Sequence, residues 1–418
     1  MNKPAEHSGA APSPAAGDSA ATAGQEARGW RRVPGGVWAL GFVSMFMDIS
    51  SEMIHALLPI YMVSVLGISA LGVGIIEGIA EATASFMRVF SGAISDRLGK
   101  RKWLAVAGYG LAALTKPIFP LATSLDWLVG ARFVDRIGKG IRGAPRDALV
   151  ADLTPAPLRG AAYGLRQTLD TIGAFLGPLL AIGLMWFTAG HFQAVFWVAV
   201  VPAVLAVAVL VIFVREPEPR PRASRVRAPL SRRELARLGS AYWWVVGVGA
   251  VFTLARFSEA FLILRAQSLE LPPMWAPLVL VLMGLAFSCS AYPAGALSDR
   301  CNRVVVLAVG LALLVLADIV LATASGWWGL GLGVVLWGLH MGFTQGLFAA
   351  LVADTAPAEL RGTAFGMFHL LTGGALLLAS VAAGVLWEWV GPQGTFLMGA
   401  MFALLTLLAL PMLRRRLA

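Results

Sequence analysis

Charge is what this chain lacks. Only 13% of its 418 residues are Asp, Glu, Lys or Arg, while 58% are hydrophobic. Soluble chains carry about 25% charged residues. A soluble fold of this length needs a polar skin that such a composition cannot supply, so most of the surface must face lipid. Mean hydropathy is +0.75. Cysteine is almost absent: Cys289 and Cys301 fall in one segment, which excludes a disulfide framework and any Cys–His zinc spacing. No Walker loop, dinucleotide fingerprint or serine elbow appears. An enzyme is therefore not expected, nor a cofactor or a resident metal, and any transport work must draw on gradients. The net charge of +10 does not point to nucleic acid, because the basic residues cluster in short loops between apolar runs.

Long hydrophobic runs are what is there. A spanning helix needs about 20 predominantly apolar residues, and runs of that kind lie near 37–65, 71–94, 103–123, 126–149, 160–187 and 192–214. Six more lie near 241–265, 273–297, 304–324, 327–351, 361–386 and 394–413. The expected fold class is an all-α membrane protein of twelve transmembrane helices in two six-helix bundles. The boundaries read as a tail over 1–35, a first bundle over 36–214, a basic linker over 215–240, a second bundle over 241–413 and a basic tail over 414–418. The tail lacks an apolar stretch and reads as disordered. From Arg215 to Gly239 there are eight Arg against three Glu and four Pro, as suits a solvated linker. Placing both termini in the cytoplasm puts Arg28, Arg31, Arg32, Lys100, Arg101, Lys102, the linker and Arg414–Arg416 on one side. The opposite loops hold essentially no Lys or Arg, in line with a bacterial inner-membrane protein under the positive-inside bias.

The two halves repeat one another. Residues 150–164 (VADLTPAPLRGAAYG) align without gaps on 352–366 (VADTAPAELRGTAFG), with ten of fifteen identical at an offset of 352 − 150 = 202. Residues 92–97 (GAISDR) repeat at 295–300 (GALSDR), an offset of 203. Two segments agreeing on the offset to within one residue indicate duplication, and a parallel repeat of six helices is a transporter architecture.

At these residues the sequence resembles the major facilitator superfamily. Gly92, Asp96, Arg97, Gly99, Lys100 and Arg101 match that family's signature loop between helices 2 and 3, with a degenerate second copy at Asp299 and Arg300, where Asn302 replaces the glycine. The resemblance implies a gating latch between the halves. A second likeness is to the antiporter motif of drug–proton exchangers, carried by Gly164, Gly173, Gly177 and Pro178; it departs at Ala181 and Ile182, where a glycine pair is expected. It implies export. The stretches 48–54 and 135–147 look like a bacterial branch of the superfamily whose substrate the resemblance does not give. The fold it implies lines a central cavity with helices 1, 4, 7 and 10 and keeps 3, 6, 9 and 12 outside. The outer four carry only Lys116 and Asp318 within their spans.

Ionisable residues deep in a bilayer are costly and mark function or each other. Asp48, Glu52 and His55 share one face of helix 1 near mid-membrane. They suit proton coupling, a transition-metal ligand set, or carboxylates satisfied by arginines. Helix 4 carries Arg132, Asp135, Arg136, Lys139, Arg142, Arg146 and Asp147 at three- to four-residue steps, one charged stripe whose Arg142–Asp147 end reads as the cytoplasmic surface. Either it is an anion-binding rail, or it forms an ion-pair lattice with Glu77, Glu81 and Asp170. Helix 5 adds Arg166, Gln167 and Asp170; helix 7 adds Arg256, Glu259 and Arg265; helices 10 and 11 add His340, Gln345 and His369. Seven deep acids (Asp48, Glu52, Glu77, Glu81, Asp135, Asp170, Glu259) face six deep bases (Arg88, Arg132, Arg136, Lys139, Arg166, Arg256), so cavity charge alone does not decide the substrate. The reading is a monomeric proton-coupled antiporter exporting a small organic solute or drug across the lipid bilayer. Proton-symport uptake of an organic anion, a transition-metal exporter, and a non-transporting sensor or scaffold stand as alternatives.

Overall fold

A computed structural model describes residues 33–98, 100–122, 124–155, 158–216, 235–357 and 360–417. No strand occurs among them. Twelve long helices carry the chain: α1 Gly35–Val65, α2 Ala70–Leu98, α3 Arg101–Leu121, α4 Leu125–Leu153, α5 Arg159–Phe187 and α6 Phe192–Phe213. The second six are α7 Ser240–Ser268, α8 Leu278–Arg300, α9 Arg303–Thr323, α10 Trp327–Thr355, α11 Arg361–Trp389 and α12 Pro392–Leu417. Among the described residues eleven are long and apolar enough to cross a membrane. The other, α4, has 29 residues and is set apart only by its charges. Helices are the natural answer in lipid because they satisfy every backbone group internally. Arg414, Arg415 and Arg416 form the last turn of α12, where cations favour the negative helix end.

Three helices are broken. Pro59 lacks the N–H that would continue α1, which loosens at Ala56–Leu57 and resumes through a π-turn over Tyr61–Val65. Pro117 interrupts α3 directly after Lys116. In α7 the helix stops at Ala255 and restarts at Ala260, leaving Arg256 to Glu259 unwound.

The halves pack alike: α1 against α5 and α6, α4 against α2 and α3, and in the second half α7 against α11 and α12, α10 against α8 and α9. The duplication reaches single contacts. Arg101 pairs with Asp152 at 2.5 Å, and 202 residues on Arg303 pairs with Asp354. Lys116 bonds Asp135 at 2.9 Å, and 202 residues on Asp318 accepts from the Trp337 indole at 3.2 Å.

The halves meet through α2 on α11 and α5 on α8. Small residues make the first seam: a Cβ on Gly74 would collide with the Ser380 carbonyl, and one on Gly384 would sit 2.7 Å from Leu71 Cα. The Leu71 N–H donates to Glu388 Oε1 at 3.0 Å. This seam runs from the end of the molecule remote from residues 33 and 417 to Ser85, which faces Gly373. One apolar core joins both halves at the remote end, whereas the first half keeps a separate core around Val37, Tyr109 and Leu210 at the terminal end. At that terminal end Phe90, Ile94, Tyr163, Tyr292 and Leu297 are exposed. Contacts between the halves run from the remote end as far as Ser85 and Gly373.

Candidate functional site

The charged stripe of α4 is an ion-pair lattice. Arg132 donates to Glu77 at 2.6 Å, Arg136 to Glu81 at 3.0 Å, and Lys116 to Asp135 at 2.9 Å and Ser51 Oγ at 3.1 Å. A four-residue step on α4 meets a four-residue step on α2, so Arg132/Glu77 and Arg136/Glu81 stack one turn apart. These groups are almost fully buried apart from Glu81, whose side chain is 29% exposed. Gly138 and Gly140 bring the helices together: a Cβ on Gly138 would lie 2.7 Å from the Gly108 carbonyl, and one on Gly140 2.4 Å from Met87 Cβ. The work of these glycines is close packing of α4 on α3 and α2.

A second cluster lies nearer the terminal end. Arg142 is buried, stacks on Tyr109 at 4.9 Å and reaches Asp48 at 3.9 Å. Arg146 meets Asp147 at 3.1 Å, Asp170 at 3.5 Å and Ser44 at 3.2 Å. Arg166 meets Gln167 at 2.5 Å, Asp170 at 3.6 Å and Asp147 at 4.0 Å. The surface reading of Arg142 and Arg146 is corrected here: α4 runs deep enough for both to turn inward between α1 and α5. The Asp48 carboxyl stands in hydrogen-bonding contact with that of Asp170. Gly173 and Gly177 make that meeting possible by seating α5 on α1. A Cβ on Gly173 would lie 2.5 Å from the Met45 carbonyl, and one on Gly177 2.7 Å from Glu52 Cβ. Gly164 has open space beside it, while Pro178 is buried within α5.

Asp48, Glu52 and His55 share a helix face but not a cluster. His55 contacts Glu52 at 3.4 Å and Glu77 at 3.9 Å, whereas Asp48 turns to Asp170 and Arg142. Across the seam Glu259, in the break of α7, lies within electrostatic reach of His55, Glu52, Glu81 and its neighbour Arg256. Arg256 stacks on Phe252 at 5.7 Å and Trp337 at 5.8 Å. His340 is fully buried with its ring against Trp337 at 4.8 Å, and neither ring nitrogen has a hydrogen-bond partner. Arg265 is no cavity residue; it caps the end of α9 through the Leu321 and Ala324 carbonyls at 2.9 and 2.7 Å. Among the described residues no group of three or more His, Cys, Asp or Glu is placed to hold a metal ion.

Of the gating motif, Gly99 lies outside the described residues, as do the side chains of Asp96, Arg97, Asp299 and Arg300. Gly92 faces Ala144 at 3.5 Å, and Arg101 ties α3 to α4 through Asp152. Sequence reasoning missed Lys116 as the partner of Asp135. The signal was present, since 116 + 202 = 318 and 135 + 202 = 337 place two unusual pairs at the same offset.

Two six-helix halves that repeat each other down to single ion pairs, around a buried charged lattice, define a multi-pass membrane transporter. A family model described as Major Facilitator Superfamily matches residues 40–375 and 260–417, and the chain belongs to that superfamily. An uncharacterised MFS-type transporter of Methanocaldococcus jannaschii is 32% identical over 90% of this chain and 94% of its own length. The inner membrane transport protein YajR of Escherichia coli is 25% identical over 88% and 80%. A multidrug resistance protein, MdtH of Photorhabdus laumondii, is 32% identical over 41% of this chain and 42% of its own. A solved POT family transporter, in complex with a thioalcohol-conjugated peptide, superposes with a TM-score of 0.79 at 14% identity, over 93% of this chain and all of that one. That likeness speaks to the fold alone.

Proposed function

We propose that this chain is a proton-coupled antiporter of the inner membrane, with both termini cytoplasmic, that exports a small organic solute by alternating access. The carrying observation is the contact of Asp48 with Asp170. Two carboxylates that close repel unless a proton lies between them. Arg142, Arg146 and Arg166, all within 4.0 Å of one or other acid, take up the charge when the proton leaves. That pair sits on the α1–α5 seam held by Gly173 and Gly177, so gain or loss of the proton acts where the first half must flex. The same glycines supply the likeness to drug–proton exchangers, and the partial relative bearing the name multidrug resistance protein supports export over uptake. Arg132, Arg136, Asp135, Glu77 and Glu81 then serve as the rigid lattice of the first half.

Everted membrane vesicles containing the full chain test this. With the interior acidified by respiration and followed by an acridine dye, an exported solute from a drug panel should release protons and recover fluorescence. Asp48→Asn and Asp170→Asn should each abolish that recovery while the protein remains folded. Recovery unchanged in both variants would remove the pair from proton coupling, and solute uptake by intact cells with none by everted vesicles would replace export with symport.

A further inference from the structure

The duplication that repeats single ion pairs also repeats a groove on the outer side of each half. Between α1 and α6 a hollow of about 780 Å³ runs along Gly35, Ala39, Phe42 and Phe46, with Val209 and Phe213 opposite and Arg215 at its mouth. Between α7 and α12 a hollow of about 520 Å³ runs along Ser240, Trp244, Gly247 and Val251, with Thr406 and Ala409 opposite. The α1 and α7 residues advance by the same steps of four, three and four, at a constant offset of 240 − 35 = 205. Val209 and Ala409 hold matching places 409 − 209 = 200 residues apart. A hollow present at the same place in both copies belongs to the repeated helix packing rather than to one side chain. Helices α1 and α7 begin, and α6 and α12 end, at the terminal end of the molecule, so both grooves open at one membrane surface.

Each mouth carries an arginine. Arg215 stands two residues past the end of α6 and is exposed. Arg416, in the last turn of α12, is exposed and lies over the Trp244 ring at 5.9 Å. Neither has an acid within 4.0 Å among the described residues. Of the described acids at that surface, Asp152 and Asp354 pair with Arg101 and Arg303, and Glu216 accepts the Lys102 N–H at 3.1 Å. Aromatic rings sit at headgroup level in membranes, and a guanidinium above them matches a phosphate. The advance from Gly35 to Phe46, 46 − 35 = 11 residues, rises roughly 16 Å along the helix. That is close to half of the hydrocarbon core, which is about 30 Å thick, so the groove accommodates a chain of one leaflet. A zwitterionic headgroup brings its own amine to its phosphate, whereas an anionic one leaves the phosphate to the arginine. We infer that each groove holds one anionic phospholipid, a chain lying along α1 or α7 and the phosphate on Arg215 or Arg416. The inference is independent of the proton site and of the direction of transport.

Native mass spectrometry of the detergent-purified, delipidated full chain tests it, with phosphatidylglycerol or phosphatidylcholine of identical chains as titrant. The unaltered chain should hold two phosphatidylglycerol molecules, each about fivefold tighter than phosphatidylcholine, the increment that one cation supplies at a membrane surface. Arg215→Gln and Arg416→Gln should each remove that preference at one of the two sites, and the double variant at both. Gly35 and Gly247 line the two grooves with open space where a Cβ would stand. Gly35→Leu and Gly247→Leu should therefore each fill one groove, keep the parent melting temperature and lower the tightly held lipids from two to one. Glycerol 3-phosphate, the headgroup anion without chains, should not compete at the lipid concentrations used. Equal retention of the two lipids, an undiminished preference in the arginine double variant, or two lipids still held by both leucine variants overturns the inference. Competition by glycerol 3-phosphate also overturns it, leaving a bare anion site with no part for the groove.

Discussion

Lys116→Met is the sharpest perturbation the structure offers. The lysine side chain is 2% exposed and its Nζ lies 2.9 Å from Asp135, itself 3% exposed. Removing one partner of a buried ion pair costs about 3–5 kcal/mol because the other charge stays behind unmatched. The remaining neighbour of Asp135 is Arg136 at 3.9 Å, already committed to Glu81 at 3.0 Å. That partial compensation places the expected loss near the lower bound, about 3 kcal/mol, or a fall in the folded-to-unfolded ratio of roughly 150-fold. Replacing both partners by apolar groups of similar volume is often neutral or stabilising, so Lys116→Met/Asp135→Leu should return to within about 1 kcal/mol of the parent. Reversible unfolding in mixed SDS micelles, followed by far-UV circular dichroism, reads both. A double variant as unstable as the single would show that Lys116 acts by shape and its Ser51 contact rather than by charge, and would refute the lattice reading of α4.

Three further predictions use the same structure. Asp318→Asn in the matching position of the second half should change stability by no more than about 1 kcal/mol, because the amide oxygen still accepts from Trp337 and no cation is stranded; a loss of 3 kcal/mol in the same micelle assay would reveal an ionic partner for Asp318. Gly177→Ala forces a Cβ to within 2.7 Å of Glu52 Cβ and 2.9 Å of the Ile49 carbonyl, so α5 must move off α1 at a cost of about 1–3 kcal/mol, and proton flux should fall with it. Undiminished flux and stability would disconnect the glycine seam from coupling. Gly74→Leu should oppose the seating of α2 on α11 at the Ser380 carbonyl; in a background with Cys289 and Cys301 replaced, the reactivity of Tyr292→Cys to a water-soluble maleimide should change, and equal reactivity would show that this seam does not set access at Tyr292.

Local signals were enough to read the helices and their order from the chain alone. Lipid demands about 20 apolar residues per crossing, and the turns between them collect the charges, so spans appear as runs with little need for long-range information. The duplication was equally legible at 150–164 and 352–366, since it is a property of order along the chain. Helical spacing also placed Arg132, Arg136 and Lys139 on one stripe, and the two choices for that stripe, rail or lattice, were both visible. What could not be read was the choice. Whether Arg132 is free for a substrate or closed onto Glu77 depends on where α2 lies against α4, which Gly138 and Gly140 settle through backbone contacts to α3 and α2. The same holds for Asp48. Its spacing put it with Glu52 and His55, yet the seating of α5 through Gly173 and Gly177 turned it to Asp170 and left Glu52 with His55. One-dimensional periodicity fixes which face a side chain is on; the partner on that face is set by interhelical packing, and for charges in a medium of low dielectric the partner decides whether a group is structural or available.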